Sequence, residues 1–234
     1  MLINQSTSPK KLSEFLRYLA YSCQDNHDRL PSLVELSKEL GISVTTLREQ
    51  MEVARVFGLV EVRPKTGMRK LPYNFAPVVK ESIGYASTLD PKNFQKFSEF
   101  RSHIEAAYWY EATALLTKVD HEILRGLIVS ARSKLHSSNP QIPHIEHRQL
   151  HLTIYRYIDN PFATGTLEAY WDLYEAFGFD TYLDINYLDN VWNYHQRMVD
   201  AIGVGNFSAG YQALSEHMNL IYQRTKPKTS QKFE

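Results

Sequence analysis

The stretch that decides the fold of the first third of the chain is LPSLVELSKELGISVTTLREQMEVARVFGLVEVR, residues 30–63. Apolar residues recur at helical spacing on both sides of Gly41. Ser32 and Ser43 each precede such a segment, where a hydroxyl can accept from the free backbone N–H groups at the start of a helix. Two helices joined through a short turn that contains glycine form a helix-turn-helix. The stretch therefore predicts helices over residues 33–40 and 44–57.

The residues that flank this motif extend it into a winged helix. After Gly58, residues 59–63 alternate as a strand, the PKTG segment at 64–67 makes a turn, and residues 68–71 return. A further helix, over about residues 10–24, precedes the motif. The hairpin that follows the last helix is the expected wing.

A winged helix places its recognition helix in the major groove of DNA and its wing against neighbouring phosphates. Polar side chains at the start of the third helix are candidates for base contacts, and cations on the wing are candidates for phosphate contacts. The candidate DNA-binding residues are Ser43, Thr45, Thr46, Arg48, Arg63, Lys65, Gly67 and Arg69. Residues 1–80 carry 12 Lys and Arg against 8 Asp and Glu, whereas the remainder carries 14 against 18. This asymmetry favours nucleic-acid contact at the front of the chain.

Composition limits the class of protein. The 234 residues are 43% hydrophobic and 22% charged, which is ordinary for a globular protein with a real core. No stretch approaches the roughly 18 apolar residues of a membrane helix, and the N-terminal residues lack the apolar run of a secretory signal. The only cysteine, Cys23, has no partner in the chain, which suits a reducing compartment. A cytoplasmic protein without a membrane span is expected.

The remaining two thirds predict an all-α antiparallel bundle, so the whole chain is expected to be mainly α. The domains are expected to be a winged helix-turn-helix at 1–75, a linker at 76–90 and a helical effector-binding and dimerisation domain at 91–228. Helices are predicted over residues 92–117, 119–136, 143–158, 162–178, 185–203 and 206–225.

Four histidines in the bundle have the spacing of a metal site. His147 and His151, in the segment HRQLH, share one helical face. His195 and His217 lie at comparable distances from the predicted GVGN turn between two antiparallel helices, so their side chains can meet. Neutral imidazoles suit a divalent transition metal such as Zn or Ni. The zinc-protease pattern with this spacing needs a Glu general base after the first His, and Arg148 stands there instead.

The order LPS…ELSKELGIS.TTLRE…GLVEVRPKTG closely resembles the DNA-binding domain of the GntR family of bacterial transcriptional regulators. Members usually carry a Glu-Arg pair after the Pro-Ser and an Arg after the Ser of the turn. This chain has Leu33, Val34 and Val44 at those positions. The resemblance implies DNA binding with an altered operator preference; a winged helix used for protein contacts is the alternative.

The second part resembles the FCD effector domain of the FadR branch of that family. The matching pieces are FRSHIEAA at 100–107, LH at 150–151 followed by DNPF, and H…AI..GNFSAG……H from 195 to 217. Metal-binding members place an Asp four residues before the first His of the set, where this chain has His147. The resemblance implies that His151, His195 and His217 are ligands and that His147 stands in the place of the Asp. A metal-free polar pocket and a coincidental set of histidines are the alternatives.

The same resemblance assigns effector-binding roles to two residues. Arg101 is expected to hold a ligand carboxylate, since a guanidinium matches it with two parallel hydrogen bonds. A surface salt bridge with Glu105, four residues along the helix, is the alternative. Asn160 is expected to face the same cavity, and helix capping is its alternative.

Together these features predict a non-enzymatic transcriptional regulator, a repressor that responds to a small carboxylate at a bound metal. The expected partners are a double-stranded DNA operator, the carboxylate effector and a second copy of the chain in a homodimer. Two alternatives remain: a metal-dependent hydrolase with an accessory winged helix, and a direct sensor of the metal itself.

Overall fold

The computed structural model describes residues 12–22, 29–63, 67–174, 176–177 and 184–225. These residues form two compact units that divide between Glu81 and Ser82. The elements of the first unit are α1 (Glu14–Tyr21), α2 (Leu33–Leu40), α3 (Val44–Val56), β1 (Val60–Arg63) and β2 (Gly67–Lys70). Then follow α4 (Ala76–Leu89), α5 (Lys92–Ala114), α6 (Lys118–Leu135), α7 (His144–Ile154), α8 (Pro161–Tyr174), α9 (Ile185–Gly203) and α10 (Phe207–Thr225).

The helix-turn-helix forms as the local sequence predicts. The Ser32 hydroxyl accepts from the Glu35 N–H, and the Glu35 carboxylate accepts from the Ser32 N–H, which makes a complete capping box. Gly41 ends α2 with a φ of 68°, a left-handed conformation that glycine adopts without a Cβ penalty. The Ser43 hydroxyl then caps α3 by accepting from the Thr46 N–H.

The wing is a two-stranded antiparallel hairpin in which Val60 pairs with Lys70 and Arg63 with Gly67. The first unit has a small apolar core to which α1, α2, α3 and both strands contribute side chains. Its buried members are Phe15, Leu19, Leu30, Leu36, Leu47, Ala54, Val60 and Met68. Leu12 continues the helical spacing of the buried Phe15 and Leu19, but it precedes α1 and is 37% exposed.

Residues 76–90 were expected to be a linker, but the structure places the 14-residue helix α4 over residues 76–89. Pro77 is its second residue, a position where the missing N–H costs nothing because the first turn has no acceptor for it. The division between the two compact units falls inside this helix.

Six helices, α5 to α10, occupy the second unit in the described residues, as the sequence predicts. The predicted ends of α5 and α7 were too late. Helix α5 stops at Ala114 because Thr117 adopts an extended backbone and caps α6 through a capping box with Asp120. Helix α7 stops at Ile154, and residues 155–157 form a turn.

The contacts among these helices fix where the functional side chains meet. Helix α9 packs against α10 and α6, α7 packs against α6 and α8, and α5 packs against α8 and α10. Helix α10 approaches α5 closely because Gly210 has no side chain: a Cβ there would lie 2.6 Å from the Trp109 ring. The Trp109 indole N–H donates to the Phe207 carbonyl at 2.8 Å, which fixes the start of α10.

Candidate metal centre and DNA-reading face

Three helices bring the four predicted histidines together inside the second unit. His147 and His151 lie one turn apart on α7, His195 lies on α9 and His217 on α10. One nitrogen from each ring lies within 4.8 Å of the others. The rings of His195 and His217 are 4.4 Å apart between centroids, so the antiparallel turn places them at one level as predicted. Among the described residues, these four histidines form the group whose nitrogen atoms lie close enough together to hold one metal ion.

The spacing of two of these nitrogens matches a shared ion. His151 Nε2 and His195 Nε2 are 3.2 Å apart. Two imidazole nitrogens at 2.0–2.1 Å from one tetrahedral zinc would be separated by about 3.3 Å. The side chains therefore already stand at the separation that one ion requires of a ligand pair.

The cluster lies mostly in the core, and four of its eight ring nitrogens are buried without a hydrogen-bond partner in the described residues. His151, His195 and His217 are at most 1% exposed, and His147 is partly buried. The unpartnered nitrogens are His147 Nε2, His195 Nδ1 and both His217 ring nitrogens. A buried polar atom without a partner costs roughly 1–3 kcal/mol, so such a set in a folded core is expected to have a ligand. This donor set fits a divalent transition metal.

Burial also determines the protonation of the cluster. It lowers the pKa of His147, His195 and His217 well below the ordinary 6.5, because the charged form loses its hydration. The neighbouring imidazoles and the charge of Arg101 lower these pKa values further. At neutral pH these rings are uncharged and keep the lone pairs that bind metals.

A carboxylate that the sequence did not reveal stands beside the histidines. Glu146 and Glu216 directly precede His147 and His217 in the sequence. Among the described residues, however, the carboxylate found against the cluster is that of Glu105 of α5, which accepts from His151 Nδ1 at 2.9 Å and from Arg101 Nη1 at 2.7 Å. Burial acts to raise the pKa of Glu105, but the charge of Arg101 and the hydrogen bonds from Arg101 and His151 outweigh it, so the pKa is lowered. The four-residue spacing of Arg101 and Glu105 on one helix was the feature of the sequence that indicated their pairing.

Arg101 lies in the core rather than on the surface. Its side chain is 1% exposed, and its guanidinium carbon lies 4.5 Å from the centre of the Tyr170 ring. The ion pair with Glu105, which the sequence suggests as a surface contact, is thus completely buried. Arg101 Nε has no hydrogen-bond partner among the described residues.

Asn160 is engaged in local structure. Its Oδ1 accepts from the backbone N–H groups of Phe162 and Ala163 at the start of α8, and its amide donates to the Tyr108 hydroxyl at 2.7 Å. The capping role that the sequence left open is therefore present, and an effector contact of Asn160 stays a prediction.

A small cavity of about 20 Å³ lies next to the cluster. His147 and His217 line it together with Tyr174, Tyr187 and Trp192. This volume is about the space of one water molecule. The cavity therefore reaches the candidate ligands from the side where His147, the least buried of the four, is placed.

The N-terminal end of α3 presents the predicted base-reading side chains. Thr45, Thr46 and Arg48 are exposed, while Leu47 between them is fully buried and anchors the helix. The Ser43 hydroxyl is used as the cap and lies 2.9 Å from the Thr46 hydroxyl. Arg48 supplies a long, positively charged side chain near this end of the helix.

The wing presents three of its four predicted residues within the described chain. Arg63 is exposed and pairs with Glu61 at 3.0 Å, Arg69 is exposed on β2, and Gly67 starts β2 with a φ of 81°. Lys65 lies outside the described residues. An exposed pair such as that of Arg63 contributes little to stability, so the cation can exchange its partner for a phosphate.

The three positions that depart from the GntR pattern have different surroundings. Leu33 is partly buried against the core of the first unit, and Val44 is also partly buried. Val34 is 56% exposed, so an apolar side chain faces solvent at a position where an Arg is usual in the family.

The comparisons with known proteins agree with this architecture. The model of the FCD domain matches residues 96–220. A solved structure described as Streptococcus agalactiae GntR is 16% identical, with a TM-score of 0.61 over 89% of this chain and 95% of that one. A GntR family regulator from Pseudomonas syringae is 16% identical with a TM-score of 0.44 over 90% of this chain and 80% of that one. E. coli McbR/YncC is 18% identical with a TM-score of 0.45 over 91% of this chain and 98% of that one.

No curated protein sequence matches the chain significantly. None of the described helices combines the length and the apolar character that crossing a membrane requires. The FCD match covers the helices that carry all four histidines, Arg101 and Glu105, and a winged helix precedes it. The chain therefore belongs to the FCD-domain family and has the fold of the GntR transcriptional regulators, which are not enzymes.

Proposed function

We propose that this protein is a transcriptional repressor whose FCD domain binds a divalent transition metal, Zn or Ni, and senses a small carboxylate there. The observation that carries the proposal is the convergence of four imidazoles, three of them buried and one partly buried, near the buried Arg101. The winged helix is the part that would read the operator.

The metal is supported by the donor set. His147, His151, His195 and His217 would hold the ion, and the neutral state that burial imposes on three of them favours ligation. When bound, the ion would supply a Lewis-acidic centre that attracts an anionic oxygen.

The carboxylate is supported by the position of Arg101. Its guanidinium carries a charge that only Glu105 balances at hydrogen-bond distance among the described residues, and its Nε has no acceptor there. A buried charged donor of this kind suits a carboxylate oxygen. Arg101 would bind and orient that ligand.

Operator binding is supported by the exposed start of α3. Thr45, Thr46 and Arg48 present polar groups in the position where a recognition helix meets base edges, and the exposed Arg63 and Arg69 supply cations on the wing. A homodimer through residues after about 90 follows from the two-fold symmetry of operators. The full chain should therefore sediment as a dimer.

Hydrolysis at the same centre is disfavoured. Glu105 is the carboxylate that touches the cluster, and both its oxygens are engaged, one by His151 and one by Arg101. These two contacts hold the carboxylate against His151 and Arg101, whereas a general base must lie within hydrogen-bond reach of the proton it removes from a substrate or a water.

The test is operator affinity under three conditions. The binding of DNA from the chromosomal neighbourhood of the gene would be measured by fluorescence anisotropy with the metal-free chain, with Zn or Ni, and with metal plus acetate, succinate or citrate. The proposal expects affinity to change only when metal and carboxylate are both present. A change caused by metal alone would show a direct metal sensor, and an absence of salt-sensitive DNA binding would refute the regulatory function.

A further inference from the structure

The side chain of Glu105 contacts both His151 of the candidate metal centre and Arg101, the candidate effector-binding residue. Its Oε1 lies 2.9 Å from His151 Nδ1, and its Oε2 lies 2.7 Å from Arg101 Nη1. Arg101, Glu105 and His151 are each at most 1% exposed, so water does not compete for these bonds. From the geometry we propose that Glu105 is a positioning residue of the metal centre, which fixes the tautomer and orientation of His151.

The tautomer follows from the chemistry of the two partners. An ionised carboxylate accepts hydrogen bonds and donates none, so the proton of a neutral His151 ring must be on Nδ1. The lone pair of the ring is then on Nε2, the nitrogen that lies 3.2 Å from His195 Nε2 inside the cluster. Glu105 thus directs the metal-binding lone pair of His151 toward the other ligands.

The contact is selective among the four histidines. Within the described residues, His195 Nδ1 and both nitrogens of His217 have no hydrogen-bond partner, and no contact to a carboxylate is found for His147. Among these four rings, His151 is accordingly the one that a carboxylate orients before any ion arrives. A hydrogen bond from a metal-ligating His to a carboxylate also raises the basicity of the ligand, and its loss typically weakens metal binding by about 10–100-fold.

The position of Arg101 determines how Glu105 acts. Because Arg101 neutralises the Glu105 charge, the pair adds no net charge to the centre, and its effect must come through orientation and hydrogen bonding. The four-residue spacing on α5 holds both side chains on one helical face, so the arrangement is built into a single helix. This inference rests on the proposed metal site and adds a residue outside the ligand set.

The test replaces Glu105 by Gln and by Leu and measures the Zn dissociation constant by competition with a chromophoric chelator. An amide has almost the same shape but can present either an acceptor oxygen or a donor NH2 to His151, so it no longer selects one tautomer. We expect Glu105→Gln to weaken Zn binding at least 10-fold and Glu105→Leu to weaken it further. If the Leu variant does not fold, the Gln variant decides.

Glu146→Gln is the matched control. Glu146 is also a buried carboxylate and lies on α7 with two of the ligands, but its oxygens contact Lys134 and Ser130. Its substitution should reduce stability and leave Zn affinity within two-fold of the wild type. Equal losses of affinity in the Glu105 and Glu146 variants would overturn the proposal.

A second readout needs no metal. Nitrogen-15 NMR of the metal-free wild type should show His151 protonated on Nδ1 and unprotonated on Nε2. The Gln variant should lose the preference for this tautomer. A wild type that binds Zn while both Glu105 variants bind it equally well would refute only the role of Glu105. A wild type that takes up no metal would refute the proposed metal site and this inference together.

Discussion

The two functional regions of this protein place their polar side chains in opposite environments. At the start of α3, Thr45, Thr46 and Arg48 are exposed above a helix that is anchored by the buried Leu47. In the second unit, His151, His195 and His217 are themselves in the core, at most 1% exposed. The first region resembles an ordinary protein surface, whereas the second carries polar groups where apolar ones are expected.

The difference determines how each region depends on its partner. An exposed side chain is solvated without its ligand, so its substitution changes binding and leaves the fold almost untouched. A buried unpartnered nitrogen raises the free energy of the folded state until a ligand satisfies it. The metal centre should therefore stabilise the fold when it is filled, and the DNA-reading face should not depend on DNA for its structure.

The largest expected effect is stabilisation by metal. Zn at about a thousandfold excess over its dissociation constant should add about 4 kcal/mol to the free energy of unfolding. Replacement of all four cluster histidines by Ala should abolish this gain, because no ligand set remains. His136→Ala is the control, since His136 is exposed and contacts Asp189 away from the cluster. Equal stabilisation of the wild type and the quadruple variant in urea unfolding would show that the metal binds elsewhere.

The next effect is a loss of stability in acid for the metal-free protein. The folded-state pKa values of His147, His195 and His217 lie below 6.5, primarily because of burial, so the unfolded chain takes up protons first as pH falls. Stability is therefore fully present above about pH 6.5 and decreases below it, by about 1 kcal/mol per pH unit for each such histidine.

Urea unfolding of the metal-free chain at pH 7.5, 6.5 and 5.5 measures this dependence. The quadruple Ala variant should show a much flatter profile. Parallel profiles for the two proteins would mean that groups outside the cluster cause the acid sensitivity.

The smallest effect on the fold belongs to the DNA-reading face. Arg48→Ala should weaken operator binding by about 1–3 kcal/mol if the guanidinium reads a base. Its effect on stability should stay within about 0.5 kcal/mol because the side chain is exposed. Arg55→Ala is the control, since Arg55 is exposed at the other end of α3 and pairs with Glu52. Anisotropy titrations that give the same loss for both variants would indicate a general charge effect instead of base reading.

Features that depend on neighbouring residues could be predicted from the sequence. The capping box of Ser32 and Glu35 and the turn at Gly41 follow from bonds within a few residues. The shared face of His147 and His151 follows from the helical period, and the meeting of His195 with His217 follows from a short turn between antiparallel helices. The helix at 76–89 lies where a linker was expected, and Pro77 is compatible with it because a proline in the first turn of a helix is tolerated.

The sequence by itself determined the winged helix, the all-helical second part and the candidate ligands, because each is encoded by local periodicity, caps and turns. Only the tertiary structure decided that Arg101 and Glu105 are buried as a pair and that Glu105 meets His151, 46 residues away in the chain. The reason is physical. Helical spacing shows which side chains share a face, whereas the face that enters the core, and the partner it meets there, depend on how α5 packs with the rest of the bundle.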